Sequence, residues 1–180
     1  MICCFIGHRK INQTDALKKR LRSAVCGLIE QGVTTFLFGD HSDFDALCYE
    51  VVTELKGEHP KIQRIHFRTD YPDADDYTQQ LLVSGYEDCT CPEGVAAAGK
   101  AAYIVRNQAM IQASDFCVFY YNGDYCPERR KESKHALTSY QPKSGTKRAL
   151  DYARARNKVV VNLYTGNGDQ CCDCKSHGSR

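Results

Sequence analysis

No apolar run in this chain approaches the roughly 18 residues that a membrane-spanning helix needs, so the chain is expected outside the bilayer. No sign of charge dominates: 24 Lys and Arg against 22 Asp and Glu leave a net +2 over 180 residues. That balance removes the whole-chain argument for nucleic acid and leaves only a local patch. The start, Met1-Ile2-Cys3-Cys4-Phe5-Ile6, has neither the charged beginning nor the long apolar stretch of a secretion signal, and a cytoplasmic location is expected. Three fingerprints are absent as well. There is no G-x-G-x-x-G after the first strand, no G-x-x-x-x-G-K-[ST] and no G-x-S-x-G. These absences argue against a standard dehydrogenase, a P-loop NTPase and a hydrolase built on a nucleophile elbow.

What is present fits one soluble domain. The length lies inside the range of about 100–200 residues for a single domain, and a chain of this size buries about 70% of its unfolded surface without staples. Hydrophobic residues make up 42% and charged residues 26%, enough to exclude disorder as the main state. Eleven cysteines are many. Cys3, Cys4, Cys26, Cys48 and Cys117 lie in apolar segments and read as small buried hydrophobes in a reducing compartment. Cys89 and Cys91 lack the two-residue spacing of a zinc knuckle. Residues 166–180 read as a flexible cysteine-containing tail. Its Cys171-Cys172-Asp173-Cys174 run is the place a soft metal would choose, but no metal site is expected.

The pattern along the chain alternates strand and helix. Ile2 to Ile6 reads as a strand that leaves through Gly7-His8-Arg9. Thr14 is a plausible N-cap for a helix carrying Leu17, Leu21, Val25, Leu28 and Ile29 on one face, closed by Gly32. Thr34 to Phe38 is a second strand, broken by Gly39-Asp40. A helix with Leu47, Val51 and Leu55 follows, then a strand over Ile62 to Phe67. Residues 68–94 read as irregular, with Asp70, Asp73, Asp75 and Asp76 clustered. An Ala-rich helix from Val95 to Ala113 is expected, anchored by Ile104 and Ile111, then a strand over Phe116 to Tyr121. A basic segment, 122–144, precedes a helix starting at Gly145-Thr146, and Val159 to Leu163 closes the set. Such alternation implies parallel strands. The expected fold is α/β: a Rossmann-like, doubly wound, mainly parallel sheet with helices on both faces, one domain over 1–165.

Ligands of open parallel sheets bind beyond the carboxyl ends of the strands, where the strand order reverses. The candidate site residues are therefore those at the strand exits: Gly7, His8 and Arg9; Gly39 and Asp45; Asn122 and Gly123; and Ser144, Gly145 and Thr146. Glycine at a helix start lets backbone N–H groups approach a phosphate closely, although Ser144 and Thr146 also suit an ordinary helix cap. Arg9 and His8 add groups that suit phosphate or ribose.

The ordered motifs CCFIGHR, FGD-x-x-x-FDALCYEVVTELK, RNQAMIQASDFCVFYYNG and PKSGTKRALDYARARNK resemble the SLOG superfamily, named for the Smf/DprA and LOG proteins, and within it the YpsA-like branch. The resemblance runs from Cys3 to Leu163. It implies a Rossmann-like fold that binds nucleotides or nucleotide-derived ligands. By position it adds Arg106 and Asn107 as a polar pair, and it makes Ser144, Gly145 and Thr146 the phosphate loop. Departures stand at His41 and Asp43, where relatives carry a small residue and a glycine, and at Lys143. LOG-type phosphoribohydrolases, which cleave the N-glycosidic bond of nucleoside monophosphates, carry a Glu three residues after the loop Thr, where this chain has Ala149. Glu50 is the other carboxylate weighed for the rim, and it reads as structural.

The leading expectation is thus binding or sensing of a nucleotide or an ADP-ribose-like molecule, without an added cofactor. N-glycosidic hydrolysis is the alternative. A homodimer is the default among relatives. The basic segment holds Arg129, Arg130, Lys131, Lys134, His135 and Lys143 with Tyr125 and Tyr140. It reads as a solvated loop, as a lid over a polyanion, or as a contact for single-stranded DNA; nucleic acid is not the expected partner.

Overall fold

The computed structural model describes residues 1–39, 42–69, 85–125 and 144–166. The first apolar run forms β1 (Ile2–Gly7), and its side chains serve two cores by turns. Cys3 and Phe5 belong to one buried cluster, Cys4 and Ile6 to another. This is the period-two pattern of a strand covered on both faces. Helix α1 (Asp15–Glu30) begins where Thr14 Oγ1 accepts the Leu17 N–H at 3.1 Å. It buries Leu17, Leu21, Val25 and Leu28, and Gly32, at φ +92°, turns the chain out of it. Strand β2 (Thr35–Phe38), helix α2 (Asp43–Glu58), strand β3 (Gln63–Phe67) and a short strand β4 (Asp88–Thr90) follow. A 3-10 turn (Ala96–Ala101) leads into α3 (Ala102–Ala113). Then come β5 (Phe116–Tyr120), α4 (Gly145–Ala155) and β6 (Val159–Asn162).

All six described strands are parallel, in the order β4-β3-β2-β1-β5-β6. Helices α1 and α2 cover one face, with Leu17, Leu21, Phe44 and Val51 against Phe5, Phe36 and Phe38. Helices α3 and α4 cover the other, with Met110, Ile111, Leu150 and Ala153 against Cys4, Ile6, Leu37 and Phe119. The α/β, Rossmann-like, doubly wound arrangement expected from the alternation is the one observed. The chain winds outward from β1 through β2, β3 and β4, then returns to the other side of β1 for β5 and β6. The order therefore reverses between β1 and β5, whose carboxyl ends pair Gly7 with Tyr120.

Two expectations need correction. The stretch read as irregular contains β4, whose three residues are too few for a periodic signal. The helix expected from Val95 to Ala113 is two pieces, because Gly99 adopts φ +51° and breaks it. Ile104 is only half-buried; the buried residues of α3 are Arg106, Met110 and Ile111. The acidic cluster Asp70–Asp76, most of the basic segment (126–143), Asp40, His41 and the tail from 167 lie outside the described residues. No helix among the described residues is long and apolar enough to cross a membrane.

Candidate functional site

His8 leaves β1 directly into the switch point, with 2% of its surface exposed. The Asn122 N–H, just past β5, donates to His8 Nε2 at 2.9 Å. The Asn122 carbonyl lies 3.2 Å from the same nitrogen, so the Asn122 backbone holds Nε2 in either protonation state, donating to it when bare and accepting from it when protonated. Burial pushes the imidazole from 6.5 down to about 4, against a smaller opposing pull from the Asn122 backbone. The ring stacks on Tyr125 at 3.9 Å and 15°. His8 therefore clasps the exit of β1 to the exit of β5. A second clasp was not visible in the sequence: Asn162 Oδ1 accepts the Tyr121 N–H at 2.9 Å, and Asn162 Nδ2 donates to the Tyr121 carbonyl at 3.0 Å. This side chain extends the β5–β6 ladder and steadies the turn, in which Asn122 Oδ1 accepts the Asp124 N–H at 2.9 Å. Gly123 lies exposed in that turn.

The start of α4 is fastened to the same place. Thr146 Oγ1 donates to the Gly7 carbonyl at 3.0 Å, and the residue is 6% exposed. Ser144 Oγ accepts the Lys147 N–H at 3.1 Å. Both hydroxyls thus serve the backbone, as the cap alternative holds, which leaves the first-turn N–H groups rather than the hydroxyls to face an anion. Lys147 is paired with Asp151.

The glycines of the rim divide by what a side chain would meet. A Cβ on Gly7 would lie 2.4–2.5 Å from atoms of Phe44, and one on Gly39 2.6–2.8 Å from the Arg106 guanidinium. Among the described residues, a Cβ on Gly145 would meet nothing within 4 Å, and its φ is not in the left-handed region. Packing explains Gly7 and Gly39. Neither packing nor conformation explains Gly145.

Arg106 is 5% exposed, and its Nε and Nη2 donate to Asn107 Oδ1 at 3.2 and 3.0 Å. Resting against Gly39, it brings a buried cation to the carboxyl end of β2. Asn107 in turn lines a notch of about 20 Å³ with Gly145, Arg148 and Ala149, room for about one water. Gly39, Arg106, Asn107, Gly145, Thr146, Gly7, His8 and Asn122 thus form a connected series along one edge.

Arg9 and Asp45 hold the neighbouring loop. Arg9 is exposed, and its carbonyl accepts the Asp43 N–H at 2.8 Å. Gln13 donates to the Asp43 carbonyl at 3.1 Å. Ser42 Oγ donates to Asp45 Oδ2 at 2.6 Å and accepts the Asp45 N–H at 2.9 Å, a reciprocal cap on α2. Asp45 therefore braces the loop. Glu50 is ion-paired to Lys18 at 2.6 Å on the exposed α1–α2 seam, as a structural residue. Among the described residues, no group of three His, Cys, Asp or Glu is placed to hold a metal.

The edge so built offers backbone N–H groups, a buried guanidinium and an amide side chain, a set suited to holding an anion. No protein-family model matches the chain, and neither does any curated protein.

Proposed function

We propose that this chain binds a phosphorylated, nucleotide-derived small molecule at the carboxyl edge between β1 and β5, in the manner its SLOG-like, YpsA-like motifs imply. The observation that carries the reading is the fastening of the α4 start to the switch point: the Thr146 hydroxyl on the Gly7 carbonyl at 3.0 Å. It sets first-turn N–H groups where ligands of such sheets bind. Gly145, with open space in front of its α-carbon, supports a close approach. Arg106 and Arg9 supply charge, and His8 and Asn122 brace the strand exits beside it. The same reading takes the protein to be cytoplasmic and a homodimer.

Binding without turnover is favoured over N-glycosidic hydrolysis. Ala149 stands where the phosphoribohydrolase Glu would be, Asp45 is engaged in a helix cap and Glu50 in an ion pair. The test is thermal unfolding of the full chain with AMP and with ADP-ribose, beside an assay for released base or ribose. A ligand at a hundredfold excess over its Kd stabilises the native state by about 2.7 kcal/mol, several degrees in Tm. Stabilisation without release supports the reading; release that is lost in Asp45→Asn would replace it with hydrolysis.

A further inference from the structure

At the far end of the sheet a thiol and an imidazole are ladder partners. His66 on β3 faces Cys89 on β4 in register, so both side chains leave on the same face. Cys89 Sγ lies 3.6 Å from His66 Nδ1. The imidazole is 5% exposed and stacks on Tyr86 at 4.9 Å and 16°, which fixes the plane of the ring. Cys89 is a half-buried thiol, whereas Cys3, Cys4, Cys48 and Cys117 are sealed in the core. It sits on the last strand of the described sheet. A base held against a reachable thiol is the arrangement that activates a cysteine.

We propose that Cys89 is a nucleophilic thiol, with His66 as its base, that exchanges with low-molecular-weight disulfides. With the ring proton on Nε2, Nδ1 takes the proton from Sγ. The thiolate attacks one sulfur of the disulfide and the S–S bond breaks. A Cys89–sulfur bond forms, and the other half leaves as a thiolate that takes the proton from the imidazolium. One thiol and one disulfide give one mixed disulfide and one thiol, and a second small thiol reverses the step. The pair lies apart from the β1–β5 switch point, so this inference does not rest on the ligand reading.

The charged neighbours of the pair are largely occupied. On the same face of β3 and β4, Arg64 and Glu87 pair at 2.8 Å, and Lys56 of α2 reaches Glu87 at 3.4 Å. Asp88 Oδ1 accepts the Cys89 N–H at 2.8 Å. Tyr49 of α2 donates to the Gly85 carbonyl and accepts from Arg64. Arg68, one residue past β3, adds a positive charge at the carboxyl end.

The experiment treats the reduced full-length protein with glutathione disulfide across pH. Fragment mass spectra then report mixed disulfide at each cysteine, with half-buried Cys26 as the internal reference. An ordinary thiol near pKa 8.5 is about 3% ionised at pH 7. One held near 7 is about half ionised and, after its lower nucleophilicity is counted, reacts about threefold faster. We expect Cys89 to exceed Cys26 by at least that factor at pH 7, with a profile midpoint well below 8.5, and His66→Gln to move the midpoint back up. Equal rates and an ordinary midpoint at Cys89 overturn the proposal in the unaltered protein, whether or not the variant folds. A low midpoint that His66→Gln leaves in place removes His66 as the base.

Discussion

Of the polar and charged side chains buried among the described residues, His8, His66, Arg106 and Thr146 stand toward the carboxyl edge of the sheet, and Ser114 alone stands at the amino edge. Ser114 spends its hydroxyl on the Met110 carbonyl, at 2.8 Å, within its own helix end. The amino edge instead has the larger hollow, about 250 Å³, lined by Ile29, Val33, Pro60 and Ile62 with Glu58, His59 and Lys61 around it. The notch at Gly145 is less than a tenth of that size. Size points to one edge and buried polarity to the other. Polarity is the better guide, because burying a polar group costs free energy unless it is hydrogen-bonded, whereas an apolar hollow between helix ends needs only imperfect packing. The carboxyl edge has spent that cost on bracing four loops against one another.

That contrast can be broken most severely at Gly7. The Cβ of Gly7→Ala would overlap the Phe44 ring and its Cβ, which only a shift of α2 relieves. We expect a loss of about 3 kcal/mol by denaturant unfolding, the upper end for overpacking. Little or no loss would mean that α2 sits loosely on β1.

Acid should act on His8 next. Its folded-state value of about 4 lies below the unfolded 6.5, so between those pH values the unfolded chain binds the extra proton. Stability is therefore complete above about pH 6.5 and falls as the pH drops toward 4. The fall amounts to about 3 kcal/mol. Protonation would turn Nε2 from acceptor of the Asn122 N–H into donor to the Asn122 carbonyl 3.2 Å away, a partial compensation for the buried charge. His8→Gln should flatten this limb of the stability–pH curve; an unchanged slope would assign it to other groups.

Thr146→Val should have the smallest structural effect, about 1 kcal/mol for one hydrogen bond to a backbone carbonyl. The Gly7 carbonyl would then lose the Thr146 hydroxyl as a donor. No change in unfolding free energy would show that the clasp at the start of α4 carries no weight.

Much of this edge is legible in the sequence because glycines and polar residues interrupt apolar runs there: Gly7-His8 after Ile6, Gly39 after Phe38, Asn122 after Tyr121. The Thr14 cap and the Gly32 exit of α1 follow from local chemistry alone. Other features depend on tertiary neighbours and left no local trace. Arg106 enters the candidate site only through the resemblance; its burial against Gly39 has no local signature. Asn162 reads as the end of a strand, yet its side chain substitutes for backbone in the ladder. Cys89 and Cys91 read as a failed zinc spacing, because the pairing of β3 with a three-residue β4 that sets His66 beside Cys89 has no periodic signature.

The central claim is that the carboxyl edge holds a phosphorylated ligand through the backbone at Gly145. Thermal unfolding of Gly145→Ala with and without ADP-ribose or AMP tests it most directly. Among the described residues a methyl there meets no atom within 4 Å, and alanine favours the helix by up to about 1 kcal/mol. We predict a variant as stable as the natural chain or slightly more so, with the ligand-induced rise in Tm abolished. A variant that keeps the full rise, or a natural chain that shows none with either nucleotide, would contradict the account.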